Sequence, residues 1–328
     1  MRRGPAGAVT LSKSRSKRPP RGRNNLIRDS IDPKSLSRYD TALDNFLTWC
    51  KTEDERAADD EELDLLVAEY IQSLYDGHNT KGEAKDLRSC LVFYRPLLKG
   101  RLGLTDRALA GWDRHEPARS WPPITYGLAL GAATALWTTG DHAHALAILL
   151  AFECYLRNSE TCNLRVQDVT LPGDARVGHY STLAALVIKK AKTGKDQMVY
   201  IRDPLVIQLL KHFTAGAAAD DQLLPGLTPR SFRRALRLGL KLVGFDDAPY
   251  TVHSLRHGGA TRDYIFRRET LEGVLERGRW RSVKTTRIYL QSARSVLLSQ
   301  AIPAPVAARV AVLESARGVA FGFPHMAA

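Results

Sequence analysis

His253-Ser-Leu-Arg256-His257-Gly-Gly-Ala-Thr261, then Gly278-Arg-Trp280, then Thr286-Arg-Ile-Tyr289 are the strings that decide how this chain reads. Taken singly they are bland. His253 and His257 stand four apart and would share a helix face, which is a spacing for two metal ligands. No Glu or Asp lies between them and no third ligand is evident, so no metal site is expected. Trp280 alone would be assigned to a core, and Tyr289 alone would be a half-buried helical tyrosine. Together they are more informative. Trp280 and Tyr289 are nine residues apart, and the spacing predicts a new helix from Ser282.

Two more strings precede these. Tyr155-Leu-Arg157-Asn-Ser-Glu160 falls where the apolar helix His142–Tyr155 ends and another begins. Lys190-Ala-Lys192-Thr-Gly-Lys195 falls on a turn between two strands, Leu183–Lys190 and Gln197–Ile201, with Thr193-Gly194 as the turn. Asp203-Pro204 and Thr228-Pro229 each place a capping side chain before a proline at the first helical position. The second of these starts a basic helix carrying Arg230, Arg233, Arg234, Arg237 and Lys241, ended by Gly244. By itself that helix is an amphipathic solvated face or a phosphate-contacting one; beside the other strings, these five cations are expected to contact the phosphates of a duplex.

In chain order the five strings supply Arg157, Lys192, His253 with Arg256, Trp280 and Tyr289. This resembles the tyrosine recombinase, or phage integrase, family, whose signature is Arg, Lys, His-x-x-Arg, His or Trp, Tyr. Glu160 three residues after Arg157, the passage Leu164-Arg-Val-Gln-Asp168-Val169, and the whole of His253–Thr261 add to the likeness, which covers about residues 125–295. The resemblance implies a mainly α protein with a small antiparallel β-sheet. It implies a helical N-terminal core-binding domain, an α/β catalytic domain, and a homo-tetramer on double-stranded DNA. It also implies a site-specific recombinase or integrase that works through a 3′-phosphotyrosine, with no metal, ATP or other cofactor. A type IB topoisomerase-like relaxation, or a non-cutting DNA-binding descendant, are the alternatives.

The chemistry suits these residue types. Two planar guanidinium groups, Arg157 and Arg256, can each offer paired N–H donors to a phosphate whose charge grows during attack. His253 donates to the phosphate or moves the tyrosine proton. Lys192, on a turn, suits a general acid for the departing 5′-oxygen. That choice rests on strand register, since Lys189, Lys190 and Lys195 are close by. Trp280 stands where the family more often has His. Its indole N–H can still donate, though it cannot shuttle a proton.

Outward from the site, the organisation is modular. Residues 1–30 form a basic arm: the first 28 hold nine Lys or Arg and no acid, too polar to fold alone. Residues 31–112 are expected to be helical. Leu36, Tyr39, Leu43, Phe46, Leu47 and Cys50 read as one helix face, Leu63, Leu66, Tyr70, Ile71 and Leu74 as a second, and Leu87, Cys90, Leu91, Tyr94 and Leu98 as a third. The acidic run from Glu53 to Asp64 reads as a solvated face. Pro117, Pro122 and Pro123 mark 113–124 as a linker, and Thr125 caps the first helix of the catalytic part, 125–300. Residues 301–328 read as a tail whose stretch Val306–Leu313 is a candidate protomer contact.

The bulk numbers agree with a polyanionic partner. The 328-residue chain carries a formal net charge of +13 and is 44% hydrophobic. Its four cysteines are far apart with no CxxC, which argues against a zinc ribbon and a disulfide framework and predicts reduced thiols. No run of about 18 apolar residues is present, so no membrane span is expected. The basic N-terminus lacks the apolar segment of a secretory signal. The expected location is the cytoplasm or nucleoid in a bacterial or phage setting, and the nucleus in a eukaryotic one.

Overall fold

The computed structural model describes residues 25–117, 121–174, 176, 182–191, 194–290, 295, 297 and 299–323; side chains at 25, 190, 191, 194–196, 285, 288 and 289 lie outside that description. The chain divides into two compact units, Met1–Arg119 and Ser120–Ala328. Among the described residues no helix is long and apolar enough to cross a membrane.

The first unit is helical. After a short α1 (Asn25–Arg28), α2 (Pro33–Thr52) starts at Asp32, whose carboxylate accepts from the Lys34 backbone N–H, with Pro33 at the first position. Helix α3 (Asp60–Asp76) is capped by Asp59 and has three acids in its first turn, where the helix dipole favours them. Helices α4 (Lys81–Tyr94) and α5 (Gly103–His115) complete it. The core gathers Ala42, Phe46, Leu66, Val67, Tyr70, Ile71, Leu87, Leu91 and Trp112.

Three expectations change here. The inward face of α2 runs through Ala42 and Phe46, and Leu47 is left exposed, as is Tyr94 on α4. Asp64, at the end of the acidic run, is buried. Its carboxylate accepts from the backbone N–H groups of Leu104 (2.8 Å) and Thr105 (2.9 Å) and from the Thr105 hydroxyl (2.7 Å). The sequence before α5 provides no local capping side chain, so Asp64 satisfies those N–H groups from another helix. Helix α5 also continues through Asp113 and His115, past the expected start of the linker. Asp113 is held there by Lys81 (3.0 Å) and Lys85 (3.1 Å).

The second unit is mainly helical around a three-stranded antiparallel sheet, the fold the sequence implied. Its centre is α6 (Tyr126–Thr138) and α7 (His142–Glu153), apolar all round and almost wholly buried. The Thr125 hydroxyl accepts from the Leu128 backbone N–H, as a cap should. A short α8 (Asn158–Cys162) leads to β1 (Val169–Thr170), β2 (Ala184–Ala191) and β3 (Gly194–Ile201), in the order β1-β2-β3. The β2–β3 register closes at Ala191↔Gly194, so β3 starts three residues before the expected Gln197. Helices α9 (Pro204–Thr214), α10 (Pro229–Leu242), α11 (Val252–Ile265), α12 (Leu271–Gly278) and α13 (Val283–Tyr289) follow. The caps Asp203 and Thr228 both accept from the first turns of their helices.

Helices α14 (Ala304–Ser315) and α15 (Arg317–Ala320) pack on α6 of their own unit. Val306 and Val310 are buried in that core. The stretch expected as a protomer contact thus spends its inner face at home, because burying those methyls on α6 needs no second chain.

Candidate active site

The site is built where α7 ends and α11 begins. Helix α7 stops at Glu153, two residues earlier than the apolar pattern implies, and Tyr155 takes a left-handed backbone with φ 48°. Such a conformation is costly for a residue with a side chain. Its consequence is that the Tyr155 carbonyl turns toward two arginines, accepting from Arg256 Nη1 and from Arg279 Nη2. The ring of Tyr155 is buried, its hydroxyl donates to Asp263 at 2.5 Å, and it stacks on Trp280 with centroids 6.2 Å apart.

Arg157 is the N-cap of α8. Its backbone N–H donates to Glu160 at 2.8 Å and its guanidinium donates to the same carboxylate at 2.5 Å. This side chain is 20% exposed, so it opens to the surface. Glu160 is buried and also accepts from Arg279 at 2.7 Å. Burial opposes its ionisation, but Arg279 and Arg157 together outweigh that and hold its carboxyl below the usual range.

Helix α11 carries His253 and Arg256. It approaches α7 so closely that a Cβ on Gly259 would lie 2.0 Å from the Phe152 carbonyl oxygen, and one on Gly258 would lie 2.1 Å from that of Ile124. The Gly-Gly pair is therefore what lets α11 press Arg256 under the Tyr155 turn. Arg256 is fully buried. Its Nη1 donates to the Tyr155 carbonyl, its Nη2 donates to the Gly278 carbonyl at 2.5 Å, and the Trp280 ring covers its face at 4.7 Å. The two arginines differ in exposure: Arg157 reaches the surface and Arg256 is covered.

Trp280 is itself buried, packed with Tyr155, Ala260 and Val274. It lies back over α12, so a Cβ on Gly278 would come within 1.9 Å of its ring. Glycine is required there for space. His253 stands edge-on to His257 with centroids 5.0 Å apart. Burial, then the nearby charges of Arg256 and Arg157, push its pKa down to about 4. It is therefore a neutral imidazole at pH 7.

The backbone of Tyr289 closes α13, and Leu290 beside it packs against the Trp280 cluster. The Tyr289 side chain lies outside the described residues, as does Lys192. Lys189 is engaged elsewhere: its ammonium is 2.8 Å from the buried Asp168. The structure thus brings together Arg157, His253, Arg256 and Trp280 and sets the Tyr289 backbone next to them. On α10, Arg230, Arg233, Arg234, Arg237 and Lys241 are all exposed, while Phe232, Leu236 and Leu240 face inward. The start of α10 adjoins α8, with Asn158 donating to the Pro229 carbonyl at 3.4 Å. Among the described residues no group of three or more His, Cys, Asp or Glu has the arrangement of a metal site.

Sequence reading missed the charged layer beneath the site. Glu153, Arg262, Asp263 and Arg277 are tied by ion pairs of 2.8 to 3.7 Å. A signal existed: Glu153 ends an otherwise apolar helix, and a carboxylate in such a run needs a buried cation. Arg279 was passed over as a spacer between Gly278 and Trp280.

The profile of the phage integrase family matches residues 131–295, a span of half the chain. No curated protein sequence matches. Among solved structures the chain is similar to a XerH site-specific recombinase bound to a palindromic difH substrate, at 18% identity and TM-score 0.58, over 84% of this chain and 82% of that one. It is also similar to the Tn1549 transposon integrase in complex with transposon right end DNA, at 16% identity and TM-score 0.54, over 84% and 97%. A third is a lambda integrase tetramer bound to a Holliday junction, at 16% identity and TM-score 0.53, over 81% and 74%. At these identities the likeness is one of fold.

Proposed function

The chain belongs to the phage integrase family of tyrosine recombinases, and on that premise we propose that it cuts and rejoins double-stranded DNA at specific sites through Tyr289. The observation that supports this reading is the meeting of Arg157, Arg256, His253 and Trp280 near the Tyr155 turn, with Leu290, the residue after Tyr289, packed against the Trp280 cluster.

The Tyr289 oxygen attacks a backbone phosphorus, forming a P–O(tyrosine) bond as the bond to the 5′-oxygen breaks. The phenolic proton passes to the His253 imidazole, whose basicity rises once the phosphate anion offsets the neighbouring arginine charges. The departing 5′-oxygen takes a proton from Lys192. A 5′-hydroxyl then reverses these steps and releases Tyr289. The 3′-phosphotyrosine keeps the energy of the broken bond, so no ATP is consumed. Arg157 and Arg256 supply the positive charge on which the phosphate oxygens rest. Arg157, at the surface, meets the phosphate directly, and Arg256 adds its charge from the layer beneath. The exposed cations of α10 follow the duplex backbone and add affinity without sequence choice. The helical N-terminal unit adds further duplex contacts, and exchange of four strands calls for a homo-tetramer.

The test is a nicked suicide duplex that traps the covalent intermediate. The native chain is expected to become attached, and Tyr289→Phe is expected to bind without attachment. Binding by both with attachment by neither would refute the reading.

A further inference from the structure

Arg279 stands in the chain between two parts of the proposed site, and the mechanism above gives it no task. It caps the end of α12 with a left-handed backbone, φ 56° and ψ 40°, a position that usually falls to glycine or asparagine. Its side chain is only 3% exposed. The guanidinium donates to the carbonyls of Cys154 (3.3 Å), Tyr155 (3.2 Å) and Arg277 (3.2 Å), and to the Glu160 carboxylate at 2.7 Å.

Two of those acceptors are shared with Arg256. The Tyr155 carbonyl accepts from both arginines. The Glu160 oxygen that Arg279 holds also lies 4.0 Å from Arg256 Nη1. The arginines thus face one carboxylate, and Arg279 is the nearer. A buried carboxylate that loses a cation draws the next one, because attraction over a few ångströms is strong where water is excluded. Arg256 drawn onto Glu160 would leave the Gly278 carbonyl and would meet a phosphate already neutralised.

Resting on the recombinase reading, we propose that Arg279 is a positioning residue for Arg256. It occupies Glu160, keeps Arg256 on the carbonyls of Tyr155 and Gly278, and so preserves the Arg256 charge for the phosphate. Its left-handed backbone also turns Trp280 back over the Arg256 face.

The experiment measures the single-turnover rate of covalent attachment of the full chain to a nicked suicide duplex. Arg279→Met is expected to slow attachment about 100-fold at unchanged DNA affinity. Glu160→Gln, which removes the competing charge, is expected to speed the Arg279→Met variant about tenfold, a departure from additivity that signals coupling. If Glu160→Gln leaves that variant equally slow or slower, Arg279 is only a structural support and the proposal falls. Arg279→Lys keeps the charge on Glu160 and provides the arm that survives if the Met variant does not fold. It is expected to stay within about tenfold of native, and a loss as deep as that of Met would overturn the proposal. A native chain that never attaches would sink the recombinase reading, and this proposal with it; native attachment without the rescue sinks this proposal alone.

Discussion

Two arginine–carboxylate clusters lie in the second unit, and they are built to different ratios. Around Glu153 and Asp263, two carboxylates meet two guanidinium groups, Arg262 and Arg277, all with side chains 10% exposed or less. Around Glu160, one carboxylate is shared among three guanidinium groups, Arg157, Arg256 and Arg279. The first is matched charge for charge and ties α7, α11 and α12 together. The second leans positive. A matched buried cluster is complete as it stands. A cation-rich one has charge left for an anion, which is what the proposed phosphate site needs and a structural staple does not.

The contrast can be broken at either end. Arg277→Met or Glu153→Gln should destabilise folding by about 3–5 kcal/mol, because each leaves a buried charge without its partner. Denaturant midpoints would report this, and attachment by the folded fraction should change little. A large rate loss with no stability loss would erase the distinction between the clusters. Arg157→Ala should do the reverse. Attachment should slow by about 10²–10³-fold, with DNA affinity and denaturant midpoint close to native.

A smaller effect is expected with pH. His253 binds its proton near 6.5 when unfolded and near 4 when folded. Between those values the unfolded chain holds more protons, so stability should fall as pH drops from 6.5 toward 4. His253→Gln should flatten that part of the curve, and an unchanged slope would remove His253 as its source. The smallest effect concerns α10: Arg234→Ala should weaken binding evenly across DNA sequences and reduce the salt slope by about 1. A change in sequence preference would instead mark a base contact.

Much of the fold was legible because its signals are local. Thr125, Asp203 and Thr228 each cap the helix they precede, since an N-cap acts on the next three residues. The β2–β3 hairpin and α10 follow from runs of a few residues with a clear period. The misread features involve partners distant in sequence. Asp64 looked solvated because its partners, Leu104 and Thr105, lie about forty residues on. The packing of Val306 and Val310 on α6 is likewise a long-range contact that no neighbouring residue announces. Tyr155 looked like the last turn of a helix, and the partners of its reversed carbonyl, Arg256 and Arg279, lie beyond residue 255.

The sequence by itself determined the family: residue types, their order, and the nine-residue step from Trp280 to Tyr289 carry it, because functional groups are set residue by residue. Tertiary structure alone decided which arginine is open and which is covered, and that Glu160 is shared three ways. Burial and charge sharing are properties of groups brought together across a hundred residues. Their energies depend on distance and water exclusion, and neither is written in any one segment.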